Sequence, residues 1–287
     1  MLNTEQVKQY QEDGYVVIPN VFNSTIVQQM RDAVSRIVEA SRTVQDHNAI
    51  YDLGPNHSAA KPSVRRIKQP HKVDPIFQQV MTDPNLLEML QQLLGESVRI
   101  RNAKLNLKEP GGGEAVEWHQ DWAFYPHTND DVLAVGIMLD DCKMENGPLM
   151  IIPKSHQGPT YSHHDVDGYF CGAMDPDADG INFAAAKPCI GPAGSVSFHH
   201  ARAIHGSAAN TSASPRRLLL FEFAAGDAWP LLKNYTTLTE FNSWLLTGTA
   251  SIIPRIVSAP VIMPLPPAVN QGSIYENQSR LKNKYFA

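Results

Sequence analysis

The sequence predicts a mainly β fold, a sandwich or barrel of strands supported by flanking helices. Helical periodicity is concentrated in the first third of the 287 residues, up to Gly95. Short alternating or apolar segments follow, which are typical of strands. Turn sequences such as EPGGG, ENGP and NTSASP separate these segments. Helices that precede a run of strands indicate a β-sandwich or barrel buttressed by helices.

Capping residues and apolar spacing place the first helices. Thr4 is expected to cap a short helix that ends at Gly14. Asn23 or Ser24 caps a second helix, STIVQQMRDAVSRIVEA, whose apolar residues recur at helical spacing and predict one buried stripe. Asp83 caps a third helix, which begins with proline and ends at a glycine.

The strands are predicted from β-type composition between turn signals. Residues 44–75 are predicted to be a loop, because Gly54, Pro55, Pro62 and Pro70 interrupt them. The predicted strands are YVVIPNVF (15–22), VRIRNAKLNL (98–107), VLAVGIMLD (132–140), LMIIP (149–153), GSVSFHHARAIHG (194–206) and RRLLLFEFAAG (216–226).

Nothing in the composition marks a domain boundary, so residues 1–287 are expected to form a single domain. Residues 1–95 would be its helical support and residues 96–226, approximately, its β core. Residues 227–287 would be a C-terminal extension, with one helix near LTEFNSWLL and a proline-rich stretch.

Charge and cysteine content exclude several classes of protein. The net charge is −5 and no basic block is present, which argues against nucleic-acid binding. No apolar run is long enough to span a bilayer, and the polar N-terminus lacks a signal-peptide core. The three cysteines, Cys142, Cys171 and Cys189, lack CxxC spacing. We interpret them as free thiols in a soluble, cytoplasmic protein.

The segment EWHQDWAFYP contains a candidate metal site. His119 and Asp121 are two residues apart, so on a strand both side chains project from one face. His205, at the end of a later apolar strand and before Gly206, is the best candidate for a third ligand. Two histidines and one carboxylate on one face of an ion are the facial triad of non-haem Fe(II) oxygenases. Zinc can use the same ligands, although it favours four-coordination.

Arg216 is the candidate anchor for a dicarboxylate. It lies 11 residues after His205, across a turn rich in serine, asparagine and proline. A hairpin at this turn would return Arg216 toward the metal. Its guanidinium would then grip the distal carboxylate through a bidentate pair, which lysine does not form.

Three motifs together resemble the phytanoyl-CoA dioxygenase family. WHQDWAFYP, ENGPLMIIPKSHQG and HGSAANTSASPR occur in that order, and the resemblance spans approximately residues 8–226. It implies a double-stranded β-helix, the cupin-like jelly-roll, with the metal at its open mouth. It also implies that His119, Asp121 and His205 bind iron and that Arg216 anchors 2-oxoglutarate.

The resemblance extends to further contacts. Asn106, Asn102, Ser207 and Arg66 match positions at which relatives contact the cosubstrate. Alternatively, the two asparagines are polar strand residues that face a wet cavity, and Arg66 forms a surface salt bridge.

Aromatic residues beside the metal motif are candidates for the substrate site. Trp122 and Phe124 are expected to form part of the substrate pocket wall, although both are also compatible with core packing.

Other candidate sites carry weaker patterns. The histidine pairs His163–His164 and His199–His200 are interpreted as structural or solvent-facing, because neighbours on a strand point to opposite faces. DPDADGINFAAA begins like a calcium loop but has Ala186 where the glutamate ligand belongs.

The predicted activity is that of an iron- and 2-oxoglutarate-dependent dioxygenase. It would consume O2, oxidise a C–H bond of a free small-molecule metabolite and release succinate and CO2. The identity of that substrate and the oligomeric state stay open. Two alternatives are a cupin-type metal enzyme that does not use 2-oxoglutarate and a non-catalytic binding module on the same fold.

Overall fold

The computed structural model describes residues 1–177, 180–232, 236–269 and 272–286. Within these ranges the helices are α1 Thr4–Asp13, α2 Ser24–Ala40, α3 Pro75–Met81, α4 Pro84–Leu94, α5 Leu238–Ser243 and α6 Ile274–Gln278. The strands are β1 Tyr15–Ile18, β2 Tyr51–Leu53, β3 Val64–Lys68, β4 Val98–Lys108, β5 Val116–His119, β6 Val132–Met138, β7 Leu149–Ile151, β8 Lys187–Cys189, β9 Val196–His200, β10 His205–Ser207, β11 Arg216–Ala225 and β12 Leu245–Thr247.

Two antiparallel sheets organise these strands. The larger has the order β1-β9-β6-β11-β4-β3-β2, with β12 also paired to β4. The smaller has the order β5-β10-β7-β8. Side chains from both sheets, among them Leu218, Leu220 and Ile151, form a buried apolar cluster. A mainly β fold with flanking helices, as predicted from the sequence, is thus confirmed.

The helices cover the outer face of the larger sheet. The apolar stripe of α2, which includes Met30 and Val34, packs in one cluster with Leu86 and Leu90 of α4 and with residues of the sheet. Burial of each large side chain stabilises the fold by about 1.5–3 kcal/mol. The helices therefore close one face of the sheet and leave the opposite face for the site.

Strand β11 shows how one sequence serves both faces. Its odd-numbered residues Leu219, Phe221 and Phe223 belong to the cluster shared with the helices. The even-numbered Leu218 and Leu220 belong to the cluster between the sheets. Because side chains alternate along a strand, the flanking even-numbered residues share this inner face.

The prediction that residues 44–75 form a loop is wrong. The segment contains β2 and β3, which pair with each other, and β3 pairs with β4. Both strands are short, and VRRIK carries three charges among its five residues, so its composition gives no strand signal. Pairing with β4 supplies the stabilisation that the local sequence lacks. Helix α3 was likewise absent from the prediction.

Two local predictions are corrected by cap and turn geometry. The cap of α1 is Asn3 instead of Thr4, because the Asn3 side chain accepts a hydrogen bond from the Gln6 amide at 2.9 Å. The segment 194–206 forms two strands, β9 in the larger sheet and β10 in the smaller. A turn over residues 201–204 moves the chain from one sheet to the other.

The remaining sequence predictions concern termini and thiols. The C-terminal region includes α5, β12 and α6, of which only the helix near LTEFNSWLL was predicted. The cysteines Cys142, Cys171 and Cys189 are free, as predicted, and buried. In the described ranges, every helix is too short or too polar to cross a membrane. The single-domain organisation stays a prediction.

Candidate metal centre

Three side chains converge at one end of the two sheets. His119 is the last residue of β5, Asp121 begins the turn that follows, and His205 is the first residue of β10, directly opposite His119. The His119 Nε2 lies 3.8 Å from Asp121 Oδ1, and the His205 Nε2 lies 3.9 Å from Asp121 Oδ2. Atoms less than about 4.2 Å apart can both bind one ion at the usual distance of about 2.1 Å.

The hydrogen bonds of the two imidazoles fix their tautomers for metal binding. The His119 Nδ1 lies 2.8 Å from the Glu117 carbonyl, and the His205 Nδ1 lies 2.9 Å from the Ala203 carbonyl. A carbonyl only accepts, so each Nδ1 carries the hydrogen and each Nε2 is left with a free lone pair. This arrangement orients a metal-binding histidine and raises its basicity as a ligand.

The electrostatic environment maintains the ligands in their metal-binding forms. Burial lowers the pKa of His119 well below its ordinary value, and His205 adds to the shift. Burial lowers the pKa of His205 to about 4. Burial opposes ionisation of Asp121, but Lys104 and the neighbouring histidines hold the pKa of this carboxyl well below its usual range. Two neutral imidazoles and one carboxylate are therefore present, as metal binding requires.

Asp121 reaches the site from a turn and not from the strand. The strand β5 ends at His119, and Asp121–Ala123 form a 3-10 turn. Strand alternation therefore predicts correctly that the two side chains meet, but it omits the turn. This turn brings the Asp121 carboxylate close to the imidazoles of His119 on β5 and His205 on β10.

The structure places Arg216 in the same cavity as the three ligands. Its Nε and Nη2 donate to the Gly147 carbonyl at 3.1 and 2.7 Å, and the side chain is almost completely buried. Burial lowers the pKa of the guanidinium. The predicted hairpin is wrong, because His205 and Arg216 begin strands of different sheets. Residues 208–215 cross between the sheets and still return Arg216 to the cavity.

Lys108 is a second buried basic side chain beside Arg216. Its Nζ donates to the Ser207 hydroxyl at 2.8 Å, and also to the Ser207 and Ala208 carbonyls. Burial lowers its pKa well below the ordinary value, and the nearby Arg216 contributes. Ser207 and Lys108 thus form one polar end of the cavity that also contains Arg216.

Arg66 and Asn106 also line this cavity. They are paired across β3 and β4, and the Arg66 Nε donates to the Asn106 side-chain oxygen at 3.0 Å. The Arg66 side chain is only 11% exposed. Arg66 does form a salt bridge, with Asp52 at 4.0 Å, but Asp52 is completely buried, so the pair lies in the interior and not at the surface. Asn102 instead lines a neighbouring cavity.

This neighbouring cavity measures about 300 Å³ and meets the first at Arg66, Lys104 and Asp121. Arg101 and Lys104 also line it, and both contact the buried carboxylate of Glu222. Three cations and two carboxylates, those of Asp121 and Glu222, therefore line a space immediately beside the candidate metal.

The two aromatic candidates have different positions. Phe124 lines the 300 Å³ cavity, as expected of a pocket wall. Trp122 is fully buried in an apolar cluster with Tyr125 and Ala201, and its indole N–H donates to the Pro260 carbonyl at 2.9 Å. The expectation that Trp122 forms pocket wall is therefore wrong, because the turn at Asp121 directs its ring into the core.

The prediction that the paired histidines are structural or solvent-facing is wrong for His199. His199 is 1% exposed and lines the metal cavity, with its Nε2 at 3.5 Å from Asp121 Oδ2. Its neighbour His200 receives a hydrogen bond from the Arg202 amide, and His163 receives one from the Gln120 amide. These two are structural, as predicted. The calcium-like loop includes Asp179, which lies outside the described residues.

Strand alternation identifies several cavity-lining residues that were not predicted. Lys104 and Lys108 share the parity of Asn106 on β4, and Glu222 shares the parity of Arg216 on β11. All of them line the two cavities. Tyr275 of α6 also lines the metal cavity. No sequence pattern predicts this contact, because α6 is far along the chain from the metal-binding motif.

Two imidazoles, one carboxylate and a buried arginine in one cavity define a mononuclear non-haem iron oxygenase site. The donor set fits a ferrous ion, because the three groups offer ligand atoms that all lie within 4.8 Å of one another.

Comparisons with known proteins agree with this class. The family model of phytanoyl-CoA dioxygenase matches residues 10–218. A probable alpha-ketoglutarate-dependent hypophosphite dioxygenase of Stutzerimonas stutzeri is 35% identical, over 98% of this chain and 99% of its own length. An ectoine dioxygenase of Bordetella bronchiseptica is 30% identical, over 75% of this chain and 73% of its own.

A solved structure shows the same fold. The crystal structure of EctD from S. alaskensis with bound Fe superposes with a TM-score of 0.66 and 22% identity, over 92% of this chain and 89% of that one. The chain belongs to the phytanoyl-CoA dioxygenase family, with its cupin-type jelly-roll. It is an oxidoreductase that uses Fe(II), 2-oxoglutarate and O2, as the sequence resemblance predicted.

Proposed function

We propose that His119, Asp121 and His205 hold the ferrous ion and that Arg216 binds the distal carboxylate of 2-oxoglutarate. When bound, the iron supplies oxygen activation coupled to decarboxylation of the cosubstrate. The Gly147 carbonyl holds the guanidinium of Arg216 in one orientation. A fixed fork in a buried cavity pairs strongly with a carboxylate, because water does not screen it.

Ser207, Lys108, Asn106 and Arg66 complete the cosubstrate site in this proposal. Lys108 supplies N–H donors at the Arg216 end of the cavity, and its hydrogen bonds hold the Ser207 hydroxyl in place. Arg66 lies where the two cavities meet, and Asn106, to which its Nε donates, lines the first cavity. Asn102 faces that second cavity and so belongs to the substrate side.

The substrate is a small anion, which binds in the 300 Å³ cavity beside Asp121. The observation that carries this proposal is the set of three cations that line the cavity, Arg66, Arg101 and Lys104. The volume is at the lower end of the range for small-molecule sites, which suits a compact metabolite and not an acyl-CoA.

The carboxylate of Glu222 does not make the net charge of this cavity negative. Its carboxylate contacts both Arg101 and the Lys104 Nζ, the latter at 2.9 Å. With Asp121 as the second carboxylate of the lining, the three cations still leave one positive charge in excess. An ammonium group of a zwitterionic amino acid would have to compete with Arg101 and Lys104 for the Glu222 carboxylate. The arrangement therefore favours a substrate that carries negative charge alone.

Hypophosphite is the first candidate, because the relative from Stutzerimonas stutzeri is a probable hypophosphite dioxygenase. In the reaction one oxygen atom of O2 enters a P–H bond of hypophosphite, which gives phosphite and releases a proton. The other oxygen atom enters succinate as CO2 leaves 2-oxoglutarate. Phosphorus and 2-oxoglutarate each lose two electrons, and O2 gains four.

The test measures succinate release and O2 consumption with hypophosphite, phosphite, ectoine, L-proline and phytanoyl-CoA. We expect substrate-dependent turnover with hypophosphite, and phosphite as a product detected by 31P NMR. Coupled turnover with ectoine or proline but with no anion of the panel would contradict the proposed substrate class while preserving the enzyme class.

A charge variant tests the cations of the substrate cavity, and the KM for 2-oxoglutarate is measured beside that for the anion because Lys104 lines both cavities. In Lys104→Met we expect the KM for the anion to rise about 10–100-fold, because one hydrogen bond to a charged group is lost. The exposed Lys61→Met removes the same charge elsewhere and should leave this KM unchanged. An unchanged KM in Lys104→Met would contradict anion binding by this cavity.

A further inference from the structure

The environment of His199 is unlike that of any histidine assigned above. It lies on β9 with its side chain in the metal cavity and is 1% exposed. Within the described residues, neither ring nitrogen has a hydrogen-bond partner of good geometry. The closest polar contact is from Nε2 to Asp121 Oδ2, at 3.5 Å, and the His205 ring centroid is 4.6 Å away.

A buried ring without partners is costly, so its position needs an explanation. Its partner on β6 is the small Ala134, which leaves room on that side, whereas its partner on β1 is Tyr15. The residue that His199 approaches is a candidate iron ligand.

The tautomer of His199 follows from that contact. Backbone carbonyls fix Nδ1–H in His119 and His205, which frees their Nε2 atoms for a metal. No carbonyl holds the Nδ1 of His199 in this way. A carboxylate oxygen only accepts hydrogen bonds, so the ring nitrogen that faces it carries the hydrogen.

We propose that His199 is a positioning residue, whose Nε2–H donates to one carboxylate oxygen of Asp121 and so favours metal coordination through the other. Monodentate binding by Asp121 leaves coordination positions open for 2-oxoglutarate and O2. His199 itself is not a ligand in this proposal, since it is not part of the group whose ligand atoms lie within 4.8 Å of one another. The inference rests on the proposed iron ligands.

The test uses two variants of nearly equal shape. His199→Gln retains an N–H donor, and His199→Met removes it. The readout is the affinity of the metal-free protein for Co(II), measured by titration calorimetry without cosubstrate or substrate. We expect His199→Met to weaken Co(II) binding about 10–100-fold, the usual effect of removing a partner of a metal ligand. His199→Gln should restore most of that loss.

A spectroscopic readout separates a positioning role from coordination. With vanadyl(IV) in the site, pulsed EPR counts the coordinated imidazoles. The wild type and His199→Met should give the same count. Equal Co(II) affinity in His199→Met and the wild type would overturn the proposal. So would the loss of one imidazole signal, since His199 would then be a ligand.

The controls keep these outcomes distinct. His200→Gln changes the next residue of β9, on the opposite face, and should retain wild-type Co(II) affinity. Circular dichroism of every variant checks the fold, and if His199→Met does not fold, His199→Phe replaces it as a ring without a donor. Full Co(II) affinity in His119→Ala would contradict the proposed ligand set, a failure separate from that of His199.

Discussion

Arg216 allows the sharpest test of the cosubstrate site at the scale of single residues. In Arg216→Lys the charge remains but the fork held by Gly147 is lost. We expect the KM for 2-oxoglutarate to rise at least about tenfold, equivalent to about 1.5–3 kcal/mol for a hydrogen bond to a charged group. The KM for the substrate should change little. Steady-state kinetics with each compound varied separately measures both.

The neighbouring residue provides the control for this substitution. Arg217 follows Arg216 on β11 and binds Asp140 through its Nε, at 2.9 Å, and its Nη2, at 2.5 Å. Arg217→Lys makes the same chemical change outside the cosubstrate cavity. A rise in the KM for 2-oxoglutarate in Arg217→Lys as large as in Arg216→Lys would refute the assignment of Arg216 as the anchor.

Single residues were predictable where a motif or a parity marks them. His119, Asp121, His205 and Arg216 all reach one cavity, although the geometric reason given for Asp121 was incomplete and the hairpin predicted for Arg216 was wrong. His199 was missed because the continuation of its strand toward His205 cannot be judged from sequence. The turn at residues 201–204 breaks the alternation between the two histidines, yet both side chains still face the cavity.

At the scale of elements, α6 supplies a wall of the metal cavity from the C-terminal region. Ile274 and Tyr275 line the cavity. The buried Gln278 ties the helix to the rest of the protein, because its amide donates to the Gly172 carbonyl and its oxygen accepts from the Glu117 amide, each at 3.0 Å. Glu117 lies two residues before His119, so α6 is attached to the strand that carries a candidate ligand.

Loss of this attachment should weaken cosubstrate binding. In Gln278→Leu the Glu117 amide and the Gly172 carbonyl lose their partners, which costs about 1–3 kcal/mol for each buried group left unpaired. We expect a lower melting temperature and a higher KM for 2-oxoglutarate. Hydrogen exchange should increase in α6 and β5. Asn283→Ala, which removes an exposed hydrogen bond to Asp177, should leave all three measurements near wild type. Unchanged exchange in β5 would contradict the attachment.

Elements were predictable where their own sequence stabilises them. The helices α2 and α4 have caps and apolar stripes, and β4, β6 and β11 are long or strongly apolar. The short strands β2 and β3 depend on pairing with the larger sheet, and α6 depends on contacts with residues more than 100 positions away. Local sequence contains no record of such contacts.

At the scale of the whole molecule, buried histidines make stability depend on pH. Burial lowers the pKa of His127 and of His163 to about 4. In the unfolded chain both have ordinary values near 6.5, so between about pH 6.5 and 4 the unfolded state binds more protons. Their stabilisation is therefore complete above about pH 6.5 and is lost as the pH falls toward 4, by on the order of 3 kcal/mol for each.

Urea unfolding of the metal-free protein at several pH values between 7.5 and 4.5 measures this effect. We expect the free energy of unfolding to decrease steadily below about pH 6.5. In His127→Gln the decrease should be shallower, because one titrating group is removed. A profile that is flat down to pH 4.5, or equally steep in His127→Gln, would disagree with neutral buried histidines.

The alternation of β11 also determines how this protein can acquire a new specificity. Leu219, Phe221 and Phe223 anchor the helices, while Glu222 borders the anion cavity from the other side of the same backbone. Mutational libraries confined to the even-numbered positions near Glu222, and to the matching face of β4, can therefore be screened for new reactivities without eroding the scaffold. Natural changes of substrate among related enzymes should likewise occur at the residues on the cavity side of β11, while the residues that pack against the helices stay apolar.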